Sequence, residues 1–430
     1  MRKLLFIYFV AFVGFGMFIS YYLLAAAPAG IPESYLGTPA DPATFMSPQE
    51  LAQSTEYSRL RSVIYFISVP FEWGIYLLLI ALGISHGFRN WAERIGSKAP
   101  LHAFVCGLII SVFAYAMKLP ISIFSYRLAV HYGISNQSWL SWIRDQSISL
   151  AMAAFSTGLV TAILFFLLKK SPGRWWLHAW FISLPLSFLL FYAQPLFIDP
   201  LYHDFQLLQD EQLEGRIIEM AASEGVPAER VYVVNKSEKT NAINAYVNGI
   251  GTSLRIVLYD TAIERLDQDE TLYIMAHEIG HYVMNHLSWA LIGNMAGTLA
   301  GLYVLHLLYH QIVKRWGTSL RARSKHDLAL APLLLLLISI LAFVSSPISN
   351  GISRQAEHAA DVFALEKTLN PEAAIRTLQK LSIAGKSEVN PPAAVKWFRY
   401  GHPTLFERIQ YMMEWENDPS VPHSEGRSPR

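Results

Sequence analysis

The sequence predicts a mainly α-helical, polytopic membrane protein with about seven transmembrane helices and a small α+β domain. Three observations predict it. Of the 430 residues, 53% are hydrophobic and 16% are charged, against about 25% charged in soluble domains. Seven apolar stretches reach the roughly 20 residues that a helix needs to cross a bilayer. Two hydrophilic regions, 199–286 and 350–430, interrupt and follow them. A net charge of +1 gives no reason to expect a nucleic-acid partner. The one cysteine, Cys106, lies in an apolar run and can form no intramolecular disulfide.

The predicted spans are 4–26, 62–84, 101–126, 148–168, 175–198, 287–313 and 328–349. The first follows Arg2 and Lys3 and precedes Ala25, Ala26 and Ala27, which also fits a secretory leader. Its apolar core exceeds the usual 7–15 residues of a leader, so a retained span is expected. Residues 31–60 read as a polar loop. Short loops on one side hold thirteen basic residues: Arg2, Lys3, Arg89, Arg94, Lys98, Lys169, Lys170, Arg174, Lys314, Arg315, Arg321, Arg323 and Lys325. The other side holds four, Arg59, Arg61, Arg127 and Arg144. The positive-inside rule then expects a cytoplasmic N-terminus, with 199–286 and the C-terminal region on the outer face.

In 199–286, Leu213, Ile217, Met220 and Ala221 keep helical spacing. Val231–Val234 and Arg255–Tyr259 read as short strands, and 240–251 as a hairpin-like edge between them. Asp267 and Glu270 form a capping-box pair ahead of the next helix. In 350–430, Asn370 and Pro371 fit the start of a helix through Ile383. Thr404 and Glu407 start another through Trp415. From Asn417 the tail is polar and Pro-rich and is expected to be disordered.

The helix after Asp267 carries the motif HEIGH, His277 to His281. Two imidazoles four residues apart share a helix face, so both reach one metal ion, with the carboxylate of Glu278 beside them. That is the geometry of a zinc peptidase: two ligands and a general base for an activated water. A buried helix with satisfied histidines is the plainer alternative. A catalytic zinc needs a third ligand. The segment SRQAEHAAD, Ser353 to Asp361, offers Glu357 as that ligand. Asp361, one turn on, offers a hydrogen-bond partner for the far nitrogen of a ligand histidine. Solvated acids at the end of an amphipathic helix are the alternative. The two spans between His281 and Glu357 return the chain to the same side, so both segments face one compartment.

HEIGH, then SRQAEHAAD, then HPTLFERI (His402 to Ile409), resemble in that order the type I CaaX prenyl proteases, a family of integral-membrane gluzincin metallopeptidases. The stretch 119–139 and the segment Asn244, Ala245, Tyr246 extend the resemblance over most of 60–415. It implies one Zn2+ held by His277, His281 and Glu357, with Glu278 as base and Asp361 as the hydrogen-bond partner of a ligand histidine. It implies His402 as stabiliser of the oxyanion, and Asn244, Ala245 and Tyr246 as an edge that holds a substrate strand. On its own chemistry His402 is equally a surface turn residue before Pro403. Arg408 either braces the site or caps its helix. His286, His358 and Asp260 match no ligand role and read as structural. The resemblance also implies spans ringing a water-filled chamber. That suits the ionisable residues Glu72, Lys118, His178, His306 and His310 inside the spans. Glu72 and Lys118 are candidates for an ion pair, with snorkelling the alternative for Lys118. Gly293, Gly297 and Gly301 form a small-residue stripe that predicts close helix packing.

The domain organisation expected is therefore 1–198 for spans one to five, 199–286 for the first part of a metalloprotease domain, 287–349 for spans six and seven, 350–416 for its second part, and 417–430 for the tail. The expected partners are the lipid bilayer and a peptide or protein substrate, prenylated or not. A CaaX-type endoprotease is the leading reading. The others are a bacterial-type quality-control protease of broader range and a non-catalytic scaffold with a structural zinc. The intact Glu278 argues against the scaffold. The expected location is the inner membrane of a bacterium or the endoplasmic reticulum of a eukaryote. An outward-facing site runs against the family's cytosolic one.

Overall fold

The computed structural model describes residues 1–28, 30–193, 198–248 and 254–416. The chain enters on α1 (Arg2–Tyr21), whose end tightens into a π-helical turn, Tyr22–Ala26. The helices α2 (Pro48–Ala81), α3 (Ile84–Ala92), α4 (Ala99–His131), α5 (Trp139–Lys170) and α6 (Trp175–Ala193) follow. Next come β1 (Phe205–Leu207), α7 (Glu211–Ser223), β2 (Val231–Val234), β3 (Ala245–Asn248), β4 (Arg255–Tyr259), α8 (Asp260–Arg265) and α9 (Gln268–Val283). The chain re-enters the apolar part on α10 (His286–Trp316) and α11 (Ala331–Thr368). It closes with α12 (Pro371–Gly385), α13 (Ala393–Arg399) and α14 (Leu405–Glu416).

Six of these segments are long and apolar enough to cross a bilayer. The fifth expected span, α6, has 19 residues, about 28 Å of helix against a hydrocarbon core of about 30 Å. The expected end of that span, 194–197, lies outside the described residues, as do the end of the expected hairpin and the tail. Packing closes a ring: α2 touches α4, α4 touches α5, α5 touches α6, α6 touches α10, α10 touches α11, and α11 returns to α2. The first helix packs on α2, where Ile19 and Leu23 are buried beside Phe66. Of the most apolar 18 residues of α10 only 6% are buried, so most of that part of the helix is exposed. Lys118 reaches Glu72 at 2.5 Å, making the expected ion pair.

Three expectations fail here for identifiable reasons. Residues 31–60 are not a loop throughout, because α2 begins at Pro48. Ser47 and Glu50 form a capping box, and Pro48 suits the first helical turn. The 34 residues of α2 run about 51 Å, well beyond the lipid. That helix also stops short of Ile84, because Gly83 takes a left-handed φ of 73°. The glycine stripe is not a packing seam: a methyl group added at Gly293, Gly297 or Gly301 would meet nothing within 4 Å. With open space on that side, small residues have no neighbour to admit.

The sheet has the order β1-β2-β4-β3, with β2 and β4 parallel and the two outer strands antiparallel to them. Strand β3 is therefore an edge. Ile217, Val231, Ile256, Leu258, Met275 and Ile279 are fully or almost fully buried between sheet and helices. The burial pattern of β4, three buried residues in a row, is that of a strand covered on both faces.

The loops sort to two ends of the ring. At one, Asn390 donates to Gly30 O (3.0 Å), Arg59 pairs with Glu388 (2.8 Å) and Asn136 bonds Asn241 (3.0 Å). This joins the α1–α2 and α4–α5 connections to the sheet domain. At the other, Arg89 grips the buried Asp327 with both carboxylate oxygens in reach (3.0 and 2.8 Å). Arg323 meets Glu93 there at 3.1 Å.

Candidate metal centre and active site

The site is built where α9 crosses α11. The α9 start is capped as expected, Asp267 accepting from the Glu270 amide at 2.9 Å and Glu270 from the Asp267 amide at 2.8 Å. Buried Glu270 is further held by Lys380 at 2.6 Å. Nearly every residue from Glu270 to Gly280 is buried, so α9 is fixed on all sides. Gly280 is what lets α11 come close. A Cβ there would stand 2.9 Å from Phe363 Cδ1, inside any real contact distance.

On α11, Glu357 and Asp361 face α9 as the spacing predicted, though the segment is no separate helix. It is the last part of one 38-residue helix that begins at Ala331. The Nε2 atoms of His277 and His281 lie 3.2 Å apart. Glu357 Oε2 lies 3.2 Å from His277 Nε2, and Oε1 lies 3.5 Å from His281 Nε2. Ligand bonds of about 2.0–2.1 Å in a tetrahedron separate neighbouring ligand atoms by about 3.3–3.4 Å. The three side chains therefore stand at the spacing of a zinc-sized tetrahedral site. His277 is 6% exposed and Glu357 9%, so solvent does not compete for these ligand atoms as it would at a surface.

The groups behind the ligands are equally ordered. Asp361 Oδ1 lies 2.9 Å from His277 Nδ1, off the line of a straight hydrogen bond. Arg408 donates to both oxygens of Asp361, at 2.8 and 2.6 Å, and Tyr273 donates its hydroxyl at 2.9 Å. Arg408 thus braces the site rather than capping its helix. Thr404 and Glu407 make that cap. Burial pushes the His277 imidazole down, but the neighbouring Asp361 and Glu357 carboxylates outweigh this and hold it up at about 9. Burial raises the Glu278 carboxyl, against the pull of His277 and His281.

His402 also reaches the cluster. Its Nε2 lies 3.3 Å from Glu357 Oε2, and its side chain is 63% exposed. Protein surrounds the ring closely enough to lower its pKa by burial, against the attraction of Glu357. Asn244, Ala245 and Tyr246 lie at the edge strand. Ala245 is buried at 2%, while Asn244 is exposed, so the three do not share one face.

The sequence reading missed His286. Asn285 takes a left-handed φ of 56° between α9 and α10, and this turn swings the first residue of α10 back. His286 Nδ1 then lies 2.9 Å from His281 Nδ1. Nothing in the spacing signalled it. His358 stacks edge-on against Tyr411 and Asp260 accepts from the Lys236 and Ser237 amides, as structural roles require.

Fold and site together define an integral-membrane metalloprotease. Residues 207–416 match Peptidase family M48, and residues 34–204 match the CAAX prenyl protease N-terminal region of five membrane helices. A Bacillus subtilis protein named as an uncharacterized metalloprotease, YhfN, is 42% identical over 97% of this chain and 98% of its own. The CAAX prenyl protease 1 homolog of Dictyostelium discoideum is 28% identical over 80% of this chain and 78% of its own. The Saccharomyces cerevisiae CAAX prenyl protease 1 is 27% identical over 70% of each. The crystal structure of S. mikatae Ste24p superposes with a TM-score of 0.76 at 22% identity, covering 96% of this chain and 98% of that one. The chain belongs to peptidase family M48.

Proposed function

We propose that this chain is a zinc endopeptidase that cuts CaaX-type C-terminal segments, with His277, His281 and Glu357 as the ligands. The observation that carries the proposal is the convergence of those three side chains at tetrahedral spacing, with Glu278 beside them. Bound zinc supplies a Lewis acid that acidifies water and polarises a carbonyl. Glu278 takes the proton of the attacking water on its carboxylate and hands it to the leaving amine. His402 donates an N–H to the carbonyl oxygen as negative charge develops there. Asp361, fixed by Arg408 and Tyr273, keeps the His277 ring in its ligating orientation. A substrate segment lies along β3 as an added strand, its backbone paired with Asn244 to Tyr246.

A second reading is favoured by the basic residues of the loops. Thirteen against four supports a cytoplasmic N-terminus and an outward-facing site. A site so placed meets no prenylated cytosolic chain and suits a membrane protease of broader range. One experiment tests both. Purified protein is offered farnesylated and unmodified versions of one CaaX peptide, with and without a chelator. Cutting that the chelator stops and zinc restores is expected. Preference for the farnesylated form supports CaaX processing, and equal rates support the broader range. Chelator-insensitive cutting overturns the zinc mechanism.

A further inference from the structure

Among the described residues, Arg61 and Arg399 form no ion pair with an acid. Arg399 ends α13, three residues before His402. Its Nη1 donates to the buried Ser62 hydroxyl at 2.6 Å, and its guanidinium lies over the Tyr65 ring at 5.3 Å. Arg61, exposed on α2, lies over the Tyr57 ring at 5.4 Å. Tyr57 is within electrostatic reach of both guanidiniums. Arg59, Arg89 and Arg408 each hold a carboxylate within 2.8 Å, and half-buried Arg354 bonds the carbonyls of Lys396 and Tyr400 instead. Among the described residues neither Arg61 nor Arg399 holds a carboxylate. Burial, and then the charge of Arg61, act against the Arg399 cation. The two tyrosine faces offset part of that cost. Two like charges held together without a counter-ion leave room for an anion, and the guanidinium fork matches a carboxylate.

We infer that Arg61 and Arg399 form a carboxylate-recognition site that holds an acidic group of the substrate beside the metal centre. Three residues of extended chain span at most about 10–11 Å, so the backbone of Arg399 lies no farther than that from the backbone of His402. An extended substrate advances about 3.3 Å per residue. The carboxylate recognised is thus on the substrate segment that flanks the scissile bond. It is either the C-terminus of a short CaaX-type segment or an acidic side chain. This inference rests on the proteolytic reading above.

The test uses the full chain and one peptide in four forms: free acid or amide at the C-terminus, and Glu or Gln near the scissile bond. The wild type is expected to cut the recognised acidic form with a KM about ten- to hundred-fold below its neutral counterpart, the range of a charge-assisted hydrogen bond. Which pair shows the gap identifies the source of the carboxylate. Arg61→Gln and Arg399→Gln are expected to collapse that ratio toward one with zinc content retained, and Arg399→Lys to keep part of it. Arg61 is exposed, so Arg61→Gln gives the readout even where Arg399→Gln fails to fold. Equal KM for all four forms in the wild type overturns the inference. So does a loss that falls equally on acidic and neutral peptides, the result of a lipid-facing or purely structural pair. Chelator-sensitive cutting of the neutral peptide is read in the same assay, so failure of this inference is distinct from failure of the proteolytic reading.

Discussion

His281 and His286 face each other through their Nδ1 atoms at 2.9 Å. One nitrogen must donate and the other accept. With a metal on Nε2 of His281, its Nδ1 carries the proton, so His286 accepts and keeps its own proton on Nε2. His286→Ala is expected to weaken zinc binding by about ten- to hundred-fold, the usual cost of losing such a partner. His286→Gln, which can still accept, should recover part of it. Competition with a chromogenic chelator measures both. Equal zinc affinity in wild type and His286→Ala would remove the role.

Glu278→Gln is expected to abolish peptide cutting while zinc stays bound, because the amide cannot take a proton. Metal analysis alongside a single-turnover assay checks it. Turnover near that of the wild type would sink the assignment of the base.

Arg408→Gln removes the cation that grips Asp361 through two bonds. Asp361 is 1% exposed, so an uncompensated buried charge remains, at a cost of about 3–5 kcal/mol. A large fall in thermal midpoint in detergent is the expected result. A midpoint unchanged within error would show that the pair contributes little.

Gly280→Ala forces a methyl group to within 2.9 Å of Phe363. Overpacking of this kind costs about 1–3 kcal/mol, and here it also pushes α11 and Glu357 from α9. Reduced stability and reduced zinc affinity should appear together. Phe363→Ala in the same chain should restore part of each, and no recovery would mean the clash lies elsewhere.

The metal-free protein should lose stability in a defined pH window. His277 is held up at about 9, above the ordinary value of 6.5. Its protonated form therefore stabilises the fold fully below about 6.5, and that share fades as pH rises through about 9. Zinc must displace the same proton, so binding between those values releases it. Calorimetry in buffers of different ionisation enthalpy counts the protons. A count of zero at pH 7.5 would contradict the raised pKa.

The candidate ligand set was legible because a helix converts sequence spacing into a shared face, and because two intervening spans returned Glu357 to the side of His281. Capping pairs placed the starts of α9, α12 and α14 for the same local reason. The Ser47–Glu50 box was equally local, and its polar surroundings hid it inside an expected loop. Strand β1, three residues long, has too little sequence for a period to show. The contacts of His286, Gly280 and the Arg61–Arg399 pair arise from how distant helices meet, which no spacing encodes. The glycine stripe misled because its rule assumes a neighbour, and none stands against those three glycines.

The proposed third ligand, Glu357, sits on the same unbroken helix whose first turn lies at the opposite end of the ring. From Ala331 to Glu357 no loop intervenes to absorb a change of length. Each residue of helix advances about 1.5 Å and turns about 100°. Lengthening that rod by one residue anywhere along its lipid-buried part would swing Glu357 to another side, however conservative the added residue. The metal centre is in this sense a gauge of phase: it tolerates substitution along α11 far better than it tolerates miscounting.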